Sequence, residues 1–183
     1  MTTRYRFDPA QSRFTVQAFA AGMLSFLGHS PTFAVRDFGG ELSAEGTTVT
    51  GVRLTVRSAS LRLTDEVSAN DRREIEGTMF RDVLDSERYA EITYEAAAVT
   101  AAARARGQYQ VHIAGHLSLH GVTRPDPVDA ELLVFDDGIR LRGQTPLRLS
   151  DHGIAPVTAL AGTIRLKDEL TVTFDLAGLP EGP

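Results

Sequence analysis

Apolar and polar residues alternate along most of this chain, and the alternation predicts strands. "SRFTVQAFA" (12–20) is the first long candidate. "TFAVRDF" (32–38) follows and ends at Gly39–Gly40, which the pattern predicts as a hairpin turn into "GELSAE" (40–45). In "TTVTGVRLTVRSASLRLT" (47–64), Val52, Leu54 and Val56 alternate with Arg53, Thr55 and Arg57. "AEITYEAAAV" (90–99) alternates Ile92 and Tyr94 with Glu91, Thr93 and Glu95. "QYQVHIAGHLSL" (108–119), "VDAELLVF" (128–135), "GIRLRGQTPLRL" (138–149) and "TIRLKDELTVTFDLA" (163–177) complete the strands. The Ala-rich "AAAVTAAARARG" (96–107) reads as a strand end running into a loop.

One segment follows a different period. "SANDRREIEGTMFRDVLDSERY" (68–89) spaces Ile75, Met79, Phe80, Val83 and Leu84 as a helix does. Ser68 and Asn70 are candidate N-caps, and Asp71 and Glu74 suit the positive end of the helix dipole. Gly77 weakens a helix by about 1 kcal/mol relative to Ala, which leaves one helix or two short ones open. Eight or so strands with a helical excursion near residues 69–85 make a mainly all-β fold, an antiparallel barrel or sandwich.

Length and charge narrow the function. A chain of 183 residues predicts one domain, 1–183, large enough for a real core. The net charge of −5 argues against nucleic acid and against an anionic membrane surface. There is no cysteine, so thiolate chemistry and disulfides play no part. The longest uncharged stretch, "FTVQAFAAGMLSFLGHSPTFAV", is broken by glycines, His29 and Pro31, which argues against stable membrane insertion. The N-terminus shows no signal-peptide pattern, so the expected location is cytoplasmic unless a leader has been removed.

The most suggestive chemistry is "VHIAGHLSLHGVT" (111–123), with His112, His116 and His120 at intervals of four among only five histidines. Odd positions there are Val111, Ile113, Gly115, Leu117 and Leu119; even ones carry His112, Ala114, His116 and Ser118. That is strand alternation, and four residues along a strand span roughly 13 Å. Two imidazoles sharing one zinc, each bonded at about 2.0–2.1 Å, need their nitrogens within roughly 4 Å. A metal site made from this strand alone is therefore excluded, and no metal or other cofactor is expected. A site recruiting His29 or His152 from neighbouring strands survives that geometry but has no spacing signature. "DEVSANDRRE" (65–74) reads as the solvated start of the helix rather than a carboxylate site. Asp151–His152 reads as a turn or strand end, since no nucleophile can be assigned to it.

The ordered segments resemble the YceI-like family of lipocalin-like lipid-binding proteins. "FDPAQSRFTVQAF" is similar to the family's opening strand, and Phe38–Gly39–Gly40 in "FLGHSPTFAVRDFGGEL" to its Phe-Gly turn. "LDSERYAEITYEA" resembles the junction of a helix with an Ile-centred strand, with Ala90 where Pro is usual. "YQVHIAGHLSLHGVTRPDPVDAEL" is close to a Gly-x-Leu-Thr-x-x-Gly-Val-Thr-x-Pro pattern, with Ser118 in place of Thr. "LSDHGI" stands where the family has an Asp-Phe-Gly-like turn. The resemblance runs from about residue 5 to 177 and implies an extended antiparallel eight-stranded lipocalin-like β-barrel. It further implies a non-catalytic carrier of a polyisoprenoid or other long-chain lipid, and a homodimer.

On that fold the inward face is expected to hold Phe14, Val16, Phe33, Val52, Leu54, Ile92 and Tyr94 from the first half of the chain. Val111, Ile113, Leu117, Leu132, Ile164 and Phe174 are expected from the second. Gly115, Ala130 and Gly143 lie between larger residues on these faces; they either leave room for a ligand chain or form bends for barrel closure. Two alternatives stand beside the carrier: a metal-dependent or hydrolytic enzyme with a cross-strand histidine site, and a filled barrel serving as a structural or interaction module.

Overall fold

The computed structural model describes residues 2–21, 30–46, 48–159 and 164–181. Its strands are β1 (Thr2–Phe7), β2 (Arg13–Gln17), β3 (Ala20–Ala21), β4 (Thr32–Val35), β5 (Phe38–Glu45), β6 (Thr48–Arg57) and β7 (Leu61–Leu63). After helix α1 (Ala69–Thr78) come β8 (Glu91–Ala105), β9 (Gln108–Leu119), β10 (Val122–Pro125), β11 (Val128–Val134) and β12 (Ile139–Arg148). β13 (Thr158–Ala159), β14 (Ile164–Leu166) and β15 (Glu169–Pro180) end the chain. No helix among the described residues is long and apolar enough to cross a membrane.

Eight strands close a ring in the order β1-β5-β6-β8-β9-β11-β12-β15, and β15 pairs back with β1. Every pairing is antiparallel, as the short connections predict. The fold is thus a closed eight-stranded antiparallel barrel with one α-helix among the described residues. Beyond the ring, β2, β4 and β7 continue the sheet from β15. They are the far portions of bent strands. β1 and β2 both lie along β15, at opposite ends of it, separated by a single turn at Pro9–Gln11. The small β13-β14-β3 sheet stands apart.

Several sequence expectations change here. Gly39–Gly40 is not a hairpin: both glycines lie inside β5, and the chain bends instead at Arg36–Asp37. Gly40 is needed because β6 passes so close at Arg53 and Leu54 that a Cβ would not fit. The 47–64 run breaks at Ser58–Ser60, two serines buried because their hydroxyls donate to Tyr89 O (2.7 Å) and Asp37 O (3.3 Å). The 163–177 run breaks at Lys167–Asp168, where the Asp168 carboxylate accepts from Ser150 N (2.8 Å) and Ser150 Oγ (2.6 Å). The Ala-rich 96–107 run is not a loop either. β8 continues through Ala105, paired with β9 almost to the turn.

The helix starts where its cap predicts. Ser68 Oγ accepts from Asp71 N at 3.1 Å. Gly77 does not divide it; α1 runs directly into a wider π-type turn at Met79–Val83, giving one helix over 69–83. Its side chains also finish the sheet. Glu76 accepts from Leu63 N at 2.9 Å, and Arg72 donates to the carbonyls of Leu63 and Asp65. The free edge of β7 is thereby covered by the helix rather than by another strand.

Candidate functional site

Strand alternation places the cavity walls. On β9, Val111, Ile113, Gly115 and Leu119 are buried and Leu117 is half-buried, while His112 and His116 are exposed. The odd residues of β12 and the even residues of β15 point into the same space. They enclose a cavity of about 190 Å³ toward the helix end of the barrel. Its floor and sides come from Phe14 and Val16 of β2, Val52, Leu54 and Val56 of β6, Leu117 and Leu119 of β9, and Leu170, Val172 and Phe174 of β15. Met79, Val83 and Leu84 close it from the helix.

Of the inward-face expectations, Phe14, Val16, Val52, Leu54, Ile92, Tyr94, Ile113, Leu117 and Phe174 lie on this cavity wall. Phe33, Val111 and Leu132 are buried in the core but off the wall. Ile164 is in β14, and its side chain lies outside the described residues, as does His29. The sequence reading missed Leu119, Leu170, Val172, Leu147 and Leu149, although each extends a parity series already legible. Met79, Val83 and Leu84 were seen as a helix face, but nothing in their spacing said what that face covers.

The small residues answer the choice left open between ligand space and closure bends. A Cβ at Gly115 would collide with the Tyr94 ring, and one at Gly143 would lie 2.5 Å from Phe174 Cζ. Each notch is occupied by an aromatic ring of the adjacent strand, an arrangement that pins cross-strand register. Phe174 lies opposite Phe14, which meets Phe38 edge-on at 5.6 Å between centroids.

Polar groups on the wall are few. The Tyr94 hydroxyl lies 3.0 Å from Asp126 O and 3.2 Å from Ile113 O, so its proton is spent on backbone carbonyls. Burial, with a smaller push from the Asp126 charge, raises its pKa to about 12. Asp126 also reaches the wall, and burial holds its carboxyl above the ordinary range; nearby His152 pulls the other way and Asp151 adds to the rise. Behind Asp126 and Leu147 lies a second, polar recess of about 240 Å³, edged by Arg124, Arg148, Asp151, His152 and Glu169.

The histidines among the described residues do not converge. His112 Nδ1 is 2.8 Å from Asp129 on the outer surface. His120 is in the tight β9–β10 turn at φ 52, its ring 4.8 Å from that of Tyr89. His152 is buried in the turn Ser150–His152, with Nδ1 3.1 Å from Val122 O. Among the described residues no group of three or more His, Cys, Asp or Glu is placed to hold a metal ion.

Several solved structures share this architecture. BcnA of Burkholderia cenocepacia superposes with a TM-score of 0.71 at 17% identity, over 93% of this chain and 98% of its own. A polyisoprenoid binding domain from Saccharophagus degradans, implicated in plant cell wall breakdown, gives 0.70 at 15% identity, over 97% and 98%. The YCEI protein of Campylobacter jejuni gives 0.62 at 13%, over 82% and 85%. These likenesses show the shared fold. No curated protein matches the chain in sequence. The model of the YceI-like domain matches residues 5–177, nearly the whole barrel, and the chain therefore belongs to the YceI-like family.

Proposed function

We propose that this protein binds and carries a long apolar amphiphile, a polyisoprenoid or related lipid, inside its barrel, and that it catalyses no reaction. The observation that carries this reading is the cavity of about 190 Å³ with almost wholly aliphatic and aromatic walls. Protein interiors are close-packed, and apolar walls that border open space forgo the burial that packing would give them. An apolar chain lying along those walls contributes about 0.8 kcal/mol for each methylene it buries. The apolar cavity also weighs against a filled barrel acting only as an interaction module. The histidine-enzyme reading has less support, because His112 and His116 face away from the cavity.

The cavity is smaller than the roughly 300–1,000 Å³ of a drug-sized pocket. A long chain therefore needs a wall that yields. Met79, Val83 and Leu84 form a wall that no strand ladder holds in place. The relative from Saccharophagus is described as polyisoprenoid-binding, which supports the same ligand class here.

Solvent extraction of purified protein followed by mass spectrometry is expected to release an apolar lipid. Added polyprenol at a hundred times its dissociation constant should stabilise the fold by about 2.7 kcal/mol. Absence of both a copurified lipid and a melting shift across a polyprenol panel would return the barrel to the filled-module reading.

A further inference from the structure

Three polar side chains touch the apolar cavity: Tyr94, Asp126 and Thr145. Tyr94 spends its proton on backbone carbonyls, and Thr145 Oγ1 donates to Pro146 O at 3.5 Å. Asp126 differs. Its backbone is fully used, the N–H donating to Gly115 O at 2.9 Å and the carbonyl accepting from the Tyr94 hydroxyl at 3.0 Å. Among the described residues nothing donates to its carboxylate oxygens. Burial pushes this carboxyl's pKa up, as befits a carboxylate that has lost water and gained no donor. Such a group gains from any ligand that brings one.

The recess behind Asp126 carries a second acceptor. Asp126 and Leu147 border both spaces, so a chain lying in the cavity can bring its polar end to Asp126. His152, 3% exposed, lines the recess. Its Nδ1 lies 3.1 Å from Val122 O, a carbonyl that can only accept. In the neutral ring the proton is therefore on Nδ1, and Nε2 is left as an acceptor. The donors stand at the exposed rim and are already engaged: Arg124 donates to Asp151 O at 3.2 Å, and Arg148 to Glu169 at 3.4 Å. The recess as a whole sets three carboxylates against two guanidiniums. A phosphate would be buried beside those carboxylates, which is costly. A hydroxyl would meet acceptors that lack a proton.

We infer that this site, on the carrier reading above, selects an amphiphile with an uncharged hydroxyl head group and rejects the corresponding phosphate ester. The apolar chain lies in the cavity, the O–H donates to the Asp126 carboxylate, and the recess holds whatever of the head extends past Leu147. A hydrogen bond to an ionised acceptor is roughly twice as strong as a neutral one, so Asp126 sets the preference.

Three probes with one tail separate head from chain: farnesol, farnesyl methyl ether and farnesyl phosphate. Isothermal titration of the full chain at neutral pH should find farnesol bound at least about tenfold more tightly than either of the others, the worth of one hydrogen bond to a charged group. Asp126→Leu should erase the preference for farnesol over the ether without weakening the ether, whose binding also reports an intact cavity. Asp126→Asn keeps the shape and removes the charge, so farnesyl phosphate should bind it several-fold better than it binds the parent. Equal affinity of the parent for farnesol and its ether overturns the head-group assignment and leaves the carrier reading standing. So does phosphate held as tightly as the alcohol, or a preference for farnesol that survives Asp126→Leu. A parent chain that binds none of the three overturns the carrier reading, and this assignment with it.

Discussion

The two ends of the barrel are built from the same strands with the same alternation, yet at one the inward side chains are buried off the cavity and at the other they line it. At the end away from the helix, Leu42 and Val111 are each 1% exposed, and Leu132, opposite Tyr109, is 4% exposed. At the helix end, β2, β4 and β7 bend out of the ring and the inward residues border space instead of one another. Leu117 and Val111 stand on the same face of one strand, but only Leu117 borders the cavity. Alternation thus decides which way a side chain points. How far the facing wall stands is decided by strand bends and by the helix laid across the end.

The sharpest way to break this comparison is to place the same charge at both ends. Leu132→Lys puts an ammonium group into the packed end with no partner and no space. Burying an unpaired charge there should cost more than about 4 kcal/mol, a large share of the roughly 5–15 kcal/mol that holds a typical domain. Loss of the cooperative urea transition is the expected result. Leu117→Lys should cost only about 1–3 kcal/mol, because the ammonium can lie along the cavity toward the mouth. It should keep the circular dichroism of the parent while abolishing binding of added polyprenol. Equal damage at the two positions would mean that the ends do not differ as described.

Parity, the helix period and the Ser68 cap were legible because each is written in neighbouring residues. The His112–His116 strand was read correctly for the same reason. Depth was not legible: Val111 and Leu132 carry the same pattern as Ile113 and Val128, and only the stagger of adjacent strands separates buried core from cavity wall. The turn expected at Gly39–Gly40 went astray because glycine marks close backbone approach as readily as a reversal. The Ala96–Ala105 strand was hidden for a simpler reason. Alanine alternating with alanine has no period, so the strand reads as ending there and running into a loop.

A smaller effect sharpens the boundary between the ends, where Tyr94 fills the notch at Gly115. Gly115→Ala adds a methyl group where the ring lies, and the ring must swing away from its carbonyl partners. Overpacking of this kind should cost about 1–3 kcal/mol by chemical denaturation. In a Tyr94→Ala background the same methyl meets no ring, so the penalty should fall to nearly nothing. A penalty that persists in that background would place the strain in the β9 backbone and not in the notch.

The smallest effect concerns the Tyr94 hydroxyl itself. Tyr94→Phe keeps the ring in the Gly115 notch and removes one donor shared between Ile113 O and Asp126 O, which should cost about 0.5–1.5 kcal/mol. Its pH signature is separable from that loss. Because the folded-state pKa is raised from 10.0 to about 12, the folded state favours the neutral phenol. That contribution is fully present below about pH 10 and is lost as pH rises through about 12, as the buried hydroxyl is forced to ionise. Near-ultraviolet tyrosinate absorbance should therefore show one late-titrating residue among the four tyrosines. That late phase should vanish in Tyr94→Phe, and the fall in stability across the same window should flatten with it. If the late phase survives the substitution, another tyrosine is the buried one, and the wall between the two ends is not held by Tyr94.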